Sequence, residues 1–514
     1  MNNRYKRVVL LLCVFLHMSF MTFAQYNVIY SESFPEPEVG DKQLVTMKDG
    51  TTAYFNVTDR YLDVRIYDKD RKRTGLQKID HEQWTDRKMS AGRFLGVCEV
   101  SEQLVMFVSQ QLKKNTPIVR RVIIDSKTGK FISSAEIVNI GPDRERIPFE
   151  IYYDDITQSY AVLYPDDNEH TSFKAVVFDS THKQTAEGVL VLEGAERIRI
   201  KNVCFNNAQL NVFLNRTTKK DTTQQQALFY ATLKLDANVF TIQETGALIQ
   251  DNAILDVMYD MNKGYFQIAS CASVIDNEKK NMLGVTSSIH YHKETEVILY
   301  DPVNNKILNR NDLASKKLSE YAKQNLDIED YSGMLKKQLV NEDGSTDLIF
   351  ESLYMVYPST YCSTKVGGDI GIVHYDAEMR VVNVSIIDKP LFKAAVALHY
   401  VSSIQEYSST SYFTNGDAVY VVYNDIPDNN KRLADKELKP IGAVTESNTI
   451  VYKIKDNQVE RDYLFGTPRQ RFDTKFSMVG SAVYSKGYKT YTTIMVSANK
   501  KGDKLSRIAW VDIH

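Results

Sequence analysis

The chain has 514 residues, with 63 Lys plus Arg, 65 Asp plus Glu and a formal net charge of −2; 43% are hydrophobic and 25% charged. That balance excludes a wholly disordered chain, which needs few apolar residues and a large net charge, and gives no general attraction to nucleic acid or anionic lipid. Gly (23) and Pro (12) are scarce while Tyr (31) and Phe (22) abound, which favours strands over Ala- and Leu-rich helices.

Residues 1–24 read as a secretory signal. Arg4, Lys6 and Arg7 precede an apolar run from Val8 to Phe23, and Thr22-Phe23-Ala24 supplies small residues for a cut after Ala24. The run, about 16 residues, is short for spanning a bilayer. Cys13 follows three leucines rather than small residues, so lipidation is not expected. Residues 25–514 are then one exported domain with no later transmembrane segment. Its cysteines, Cys98, Cys204, Cys271 and Cys362, lie far apart, and Cys98 and Cys204 sit in apolar runs. They read as buried thiols, although spacing leaves a disulfide open. No CxxC occurs, so no thioredoxin-type site or zinc knuckle is indicated.

One element recurs along the chain: a β-rich run ending in an acid, then a turn and a second run. Its acids are Asp68, Asp125, Asp179, Asp236, Asp301, Asp376, Asp456 and Asp512, at intervals of 54 to 80 residues. An Asp suits such a turn because its carboxylate can accept the next backbone N–H groups. Around these hairpins the pattern predicts four strands per unit. In the second unit they are 93–101, 103–109, 117–125 and 132–138. In the third they are 149–153, 160–164, 173–179 and 188–192, and in the seventh 408–413, 418–423, 449–454 and 459–464.

Four antiparallel strands per unit is the spacing of a propeller blade, and such sheets bury both faces only by packing radially. The last unit predicts strands 476–484, 491–498 and 506–512 and then stops one strand short. Tyr26–Ser31 is expected to supply the missing outer strand and remove a free edge. The expected fold is therefore all-β, a single β-propeller of eight blades, with seven the alternative because the longer fifth and sixth intervals blur the count. A helical insert is expected at about 311–327, with Leu318, Tyr321 and Ala322 as its apolar stripe and Ser315, Lys316 and Lys317 facing water. Residues 81–93 read as a short helix or a loop.

The unit Gly368-Asp369-Ile370-Gly371-Ile372-Val373-His374-Tyr375-Asp376, followed by Val419-Tyr420-Val421-Val422-Tyr423-Asn424-Asp425-Ile426-Pro427-Asp428-Asn429-Asn430, resembles a group of uncharacterised secreted proteins of Bacteroidetes. The resemblance implies a bacterial envelope source and no particular activity. Signatures of WD-repeat, Kelch and sialidase propellers are absent, as is a CxxCH haem site.

Several residues are candidates for chemistry. His290 and His292 share one strand face, where two imidazoles with Glu294 or Glu296 could ligate a transition metal. The loops 166–169 and 341–347 are acidic enough to consider for calcium, although neither has EF-hand spacing. Asn424, Asp425 and Asp428 follow an apolar strand expected near the central tunnel and could orient a polar ligand; stiffened by Pro427, they equally suit an Asx turn. Asp179–Thr181 and Asp221–Thr223 resemble a short acceptor pattern for O-glycosylation. No GxSxG, HExxH, P-loop or GxGxxG is present.

These readings predict an exported, non-catalytic, monomeric propeller, periplasmic or at the cell surface. It would bind a protein, peptide or glycan of the cell envelope through one face of the ring, without a cofactor. The alternative is a polysaccharide-active hydrolase or lyase with carboxylates at the central channel.

Overall fold

The computed structural model describes residues 26–513 apart from 38, 86–91, 143–146, 207–208, 221–222, 236–237, 245–252, 261–262, 281–285, 312–313, 327–330, 332, 358–362, 367, 390–391, 396–406, 408, 428, 430–440, 442–443, 457, 469–473 and 499–503. It describes only the backbone of 206, 217–220, 223–228, 242–244, 253–254, 273–280, 286–291, 293, 311, 353–357, 363–366, 392–395 and 498.

Each blade grows from period-two patterning. In blade 1 the strands are Asp41–Thr46, Thr52–Val57, Tyr61–Tyr67 and Arg73–Asp80, hydrogen-bonded in that order from the channel outward. The second strand is buried throughout because neighbouring blades cover both its faces, whereas the outer strand alternates toward solvent. Ala53, Phe55 and Val57 face blade 2, and Tyr54 between them faces blade 8. Blade 2 (Gly92–Val100, Gln103–Leu112, Thr116–Asp125, Phe131–Asn139) repeats this, with Leu104, Met106 and Val108 toward blade 1 and Val105 and Phe107 toward blade 3.

Blades 3 to 8 have inner strands Glu150–Tyr153, Arg197–Asn206, Ala253–Asp260, Met334–Val340, Ser411–Asn415 and Lys475–Ser477. Eight apolar clusters fill the eight junctions between neighbouring blades, including the one from blade 8 back to blade 1. The fold is thus an eight-bladed β-propeller, as the repeat predicts.

The N-terminal strand closes the ring. Val28, Ile29 and Tyr30 pair with Val511, Trp510 and Ala509, and the Asn27 amide donates to Asp512 Oδ2 at 2.7 Å. Trp510 reaches into blade 1, where its indole N–H donates to Thr52 Oγ1 at 2.9 Å and its ring meets Tyr67 edge-on.

Three expectations change in detail. The predicted strand 476–484 is two strands, Lys475–Ser477 and Val483–Ser485, separated by the 3-10 turn Val479–Ser481. Its backbone is diverted because the Asn424 side chain takes both the N–H and the C=O of Ser477. The helix runs Ala314–Asn325 and buries Ala314, Leu318 and Ala322 against blades 5 and 6, with Tyr321 only half-buried. Ser315 does not simply face water, since its hydroxyl accepts the Thr295 N–H at 3.2 Å. Gly371 makes this docking possible, because a Cβ there would stand 2.6 Å from Leu318 Cδ2 and 2.9 Å from the Tyr331 ring. The described part of 81–93 is a 3-10 turn at His81–Gln83, buried Trp84 and the start of the next strand.

The long fifth and sixth intervals are inserts in a regular ring: the helix, a pair of strands at Leu353–Tyr357 and Ser363–Val366, and a strand at Phe392–Ala395. These three strands extend the sheet of blade 5, although the first two lie within the sequence span of blade 6 and the third between blades 6 and 7.

Candidate functional site

The two faces of the ring differ. On the lower face, connections within blades run from the first strand to the second and from the third to the fourth; in blades 1 to 7 none exceeds six residues, and in blade 8 the segment 478–489 includes the short strand Val483–Ser485. Five of the recurring acids lie here and cap their own turns. Asp68, Asp125, Asp179, Asp301 and Asp376 each accept backbone N–H groups at 2.7 to 2.9 Å. Hydrogen bonds led by the Thr128 hydroxyl and the Asn304 amide hold Asp125 and Asp301 below the ordinary carboxylate range.

All long connections emerge on the upper face: residues 312–333, 352–369, 388–410 and 426–447. Two long strands of blade 5, Tyr265–Lys280 and Thr286–Asp301, pair with each other and rise there, and the second also pairs with Leu353–Tyr357.

Along the channel edge, the inner strands of blades 2, 4, 5 and 6 each carry a register shift, whose extra residues are Leu95, Lys201, Leu255 and Lys336. A bulge of this kind re-aims a side chain at a sheet edge. The upper halves of these strands also carry Arg93, Arg199 and Lys337, all exposed. Beside Lys201 and Lys336 sits His292, whose Nδ1 accepts the Leu335 N–H at 2.9 Å. Burial, then the charges of Lys336 and Lys201, pull His292 down to about 4, so it is neutral near pH 7. Burial and the Arg199 charge likewise lower Lys201.

A cavity of about 390 Å³ opens between blades 2 and 3 at these upper strand ends, within the range of small-ligand sites. Leu95, Pro117, Ile147, Pro148 and Phe149 form its apolar wall, and Arg93, Ser109, Gln110 and Gln111 its polar one. The Gln110 side chain turns away from this cavity toward blade 1, on the same face as Met106 and Val108, and its Oε1 accepts the Thr85 hydroxyl at 2.8 Å.

The predicted site residues lie elsewhere. Ala418–Asp425 is the second strand of blade 7, not the strand beside the tunnel. Asn424 is fully buried at its end: its amide donates to Tyr407 O and Ser477 O at 2.9 and 2.8 Å, and its Oδ1 accepts from Thr449 Oγ1 and Ser477 N at 2.8 and 3.1 Å. Asp425 is buried and accepts from Ile426 N, Asn429 Nδ2 and Arg461 Nη2 at 2.7, 2.7 and 3.1 Å. These two residues tie blade 7 to blade 8 and to its own loop, and Asp428 lies outside the described residues.

His290 is described only as backbone, so the structure gives no side-chain geometry for the His290–His292 pair. Glu296 is held by Arg310 at 2.8 Å, and Glu294 sits at φ 55, which breaks the strand alternation beside His292. Among the described residues no group of three or more His, Cys, Asp or Glu has metal-site geometry. In the acidic loops, Asp167 accepts from the Thr171 N–H and hydroxyl and from Ser172 and lies near 2. Asp343 accepts from Ser345. Asp347 pairs with His374 at 2.8 Å and raises its pKa by that hydrogen bond. Thr181 is exposed, with its hydroxyl turned to Asp179 at 2.7 Å, and residues 221–222 lie outside the described ones.

Half-buried Glu351 is paired with buried Lys389, which also donates to Thr410 Oγ1 at 2.7 Å. Cys98 and Cys204 are free thiols that burial raises to about 12, Cys271 is buried, and Cys362 lies outside the described residues. No described helix is long and apolar enough to cross a membrane.

Sequence reasoning passed over the cavity and the channel-edge cations. One signal was readable: in Arg197–Phe205 the apolar positions are 198, 200, 203 and 205, so the alternation slips at Lys201, where the bulge lies. The cavity has no such signal, because its walls come from segments tens of residues apart.

No family model and no curated protein matches the chain. Among solved structures it is similar to the polysaccharide lyase Uly1 (9% identity, TM-score 0.40, covering 86% of this chain and 93% of that one). It is also similar to a eukaryotic initiation factor (9%, 0.41, 84% and 90%) and to the WD40 domain of SCAP from fission yeast (7%, 0.35, 95% and 98%). Likeness this remote carries no argument about activity.

Proposed function

We propose that this protein is an exported, non-catalytic propeller that binds a protein, peptide or glycan of the cell envelope through its upper face. The observation that carries the reading is the asymmetry of the ring. Every long connection and the 390 Å³ cavity lie at the upper strand ends, while the lower face is built from short, self-capped turns. Loops held on a rigid scaffold are where propellers and other β folds place recognition. The carboxylates Glu351, Asp347 and Asp425 each already hold a cationic or imidazole partner, which favours a structural role for them. The N-terminal apolar run supports export, and the resemblance to secreted Bacteroidetes proteins supports an envelope setting.

The test is capture from envelope extract by the purified protein, alongside Ser109→Trp, which fills the cavity, and Lys127→Glu on the lower face. Loss of the partner in the first variant and retention in the second is expected. A partner retained by both, or turnover of a small substrate by purified protein, would reject the reading.

A further inference from the structure

The two excursions that carry the strands added to blade 5, residues 352–369 and 388–410, begin and end at one place between blades 6 and 7. Half-buried Glu351, just before the first, pairs with buried Lys389 at the start of the second. Lys389 Nζ also donates to Thr410 Oγ1 at 2.7 Å, and the Tyr412 hydroxyl donates to Glu351 Oε2 at 3.3 Å, which ties in the far end of the second excursion. At the far end of the first, Asp369 Oδ1 accepts the Lys389 N–H at 3.3 Å. The Asp369 C=O accepts the Ser352 N–H and the buried Tyr331 hydroxyl, both at 2.9 Å. Tyr423 of blade 7 donates to the Asp388 C=O at 3.0 Å. One polar network thus holds all four ends, and it contains three carboxyl groups, Glu351, Asp369 and Asp388, and one ammonium, Lys389.

Glu351 already matches Lys389, so ionising both Asp369 and Asp388 sets like charges side by side in a half-buried place, which is unfavourable. Burial, then the charge of Asp388, raises Asp369 to about 6, against the pull of the Lys389 N–H. From the elements packed around the pair come Tyr331, Tyr412 and Tyr423, phenols that burial keeps neutral, and Arg461 beyond Tyr423 is committed to Asp425. A solvated carboxyl ionises near about 3.9, so the closed network binds the extra proton between those values. It is favoured as pH falls through 6 and weakened as pH rises past it. From this convergence we infer that Glu351, Asp369, Asp388 and Lys389 form a proton-operated clasp: with Asp369 protonated, Leu353–Tyr357, Ser363–Val366 and Phe392–Ala395 stay on the blade 5 sheet, and with Asp369 ionised, positions 369 and 388 part and those strands loosen. As regulation of binding, the clasp rests on the upper-face reading above; as a structural transition it does not.

The experiment is amide hydrogen exchange of the full mature chain at about pH 5 and about pH 7.5, each rate divided by the intrinsic rate at that pH. Protection in 353–357, 363–366 and 392–395 should fall about three-fold or more from the acidic to the neutral condition, while the core strand Gln103–Leu112 keeps its own. Asp369→Asn retains an acceptor for the Lys389 N–H and removes the charge, so protection should stay high at both. Asp388→Asn removes the neighbouring charge and should shrink the fall about two-fold or more. Matched circular dichroism checks that each variant folds, and if Asp369→Asn does not, Asp388→Asn decides. Protection of these strands that ignores pH, an equal fall in Gln103–Leu112, or an unaltered fall in the folded variant would each overturn the clasp. No partner enters this measurement, so its failure leaves capture sensitive to Ser109→Trp standing, and failure of that capture leaves the clasp standing.

Discussion

At the scale of single residues, Asn424 shows how a polar side chain in a promising loop becomes a structural clasp. Its donors and acceptor bridge Tyr407, Thr449 and Ser477 with no exposure. Replacing it by Ala leaves several buried groups without partners, at about 1–3 kcal/mol each before relaxation. Asn424→Ala should therefore lose about 2–4 kcal/mol in urea denaturation, and a loss below about 0.5 kcal/mol would contradict this account. His292 makes a second prediction. An unfolded imidazole titrates near 6.5, while in the folded protein burial and two lysines hold His292 near 4. Between those values the unfolded chain binds the extra proton, so stability is lost as pH falls from 6.5 toward 4, by at most about 3 kcal/mol. His292→Gln, whose amide oxygen can still accept the Leu335 N–H, should show a shallower decline between pH 7 and 4.5. An identical decline would refute the assignment.

At the scale of elements, patterning explains why most strands were legible. The central strands of each blade are continuous apolar runs and the outer ones alternate, so both follow from burial against neighbours. The expected strand 476–484 failed for a reason no local pattern holds: its partner at the break is a side chain from another blade. The helix was legible from its stripe, but its dependence on Gly371 was not, since Leu318 lies far away in sequence. Gly371→Ala should cost about 1–3 kcal/mol by overpacking the helix against its blade, read as a lowered melting temperature; an unchanged one would mean the helix shifts freely. The N-terminal strand gives the strongest element-level prediction. Removing residues 26–31 uncovers the edge of Lys504–Asp512 and its buried Trp510. Destabilisation and aggregation are expected, with a synthetic peptide of residues 26–36 restoring the melting transition. A truncated protein as stable as the full one would show that the strand is not a latch.

At the scale of the whole molecule, stability is distributed around a ring in which each blade is covered by two neighbours. The eight junction clusters leave no blade able to bury its faces alone. A chain cut after residue 387 should therefore lack a cooperative transition. A circular permutant joining residue 513 to residue 26 and opened in the lower turn at 69–70 should keep one, because Asn27 and Asp512 already touch. Failure of the permutant to fold, in calorimetry, would argue that the chain ends carry more than closure.

The amino-acid sequence by itself determined the propeller repeat, most of its strands, the helical insert and the closing strand, and left eight blades against seven to the structure. These follow from the two-residue period of burial and from local turn chemistry, both written within a few neighbouring positions. Only the tertiary structure decided which polar groups meet. Arg93 stands beside Pro148 and Phe149, Lys201 beside His292 and Lys336, and Asn424 beside Ser477, because ring closure brings distant segments of different blades to one edge. Burial against a neighbouring sheet demands only that a residue be apolar, so patterning reveals it. Convergence of charge and hydrogen-bond donors depends on register and bulges across blades, which no local period encodes.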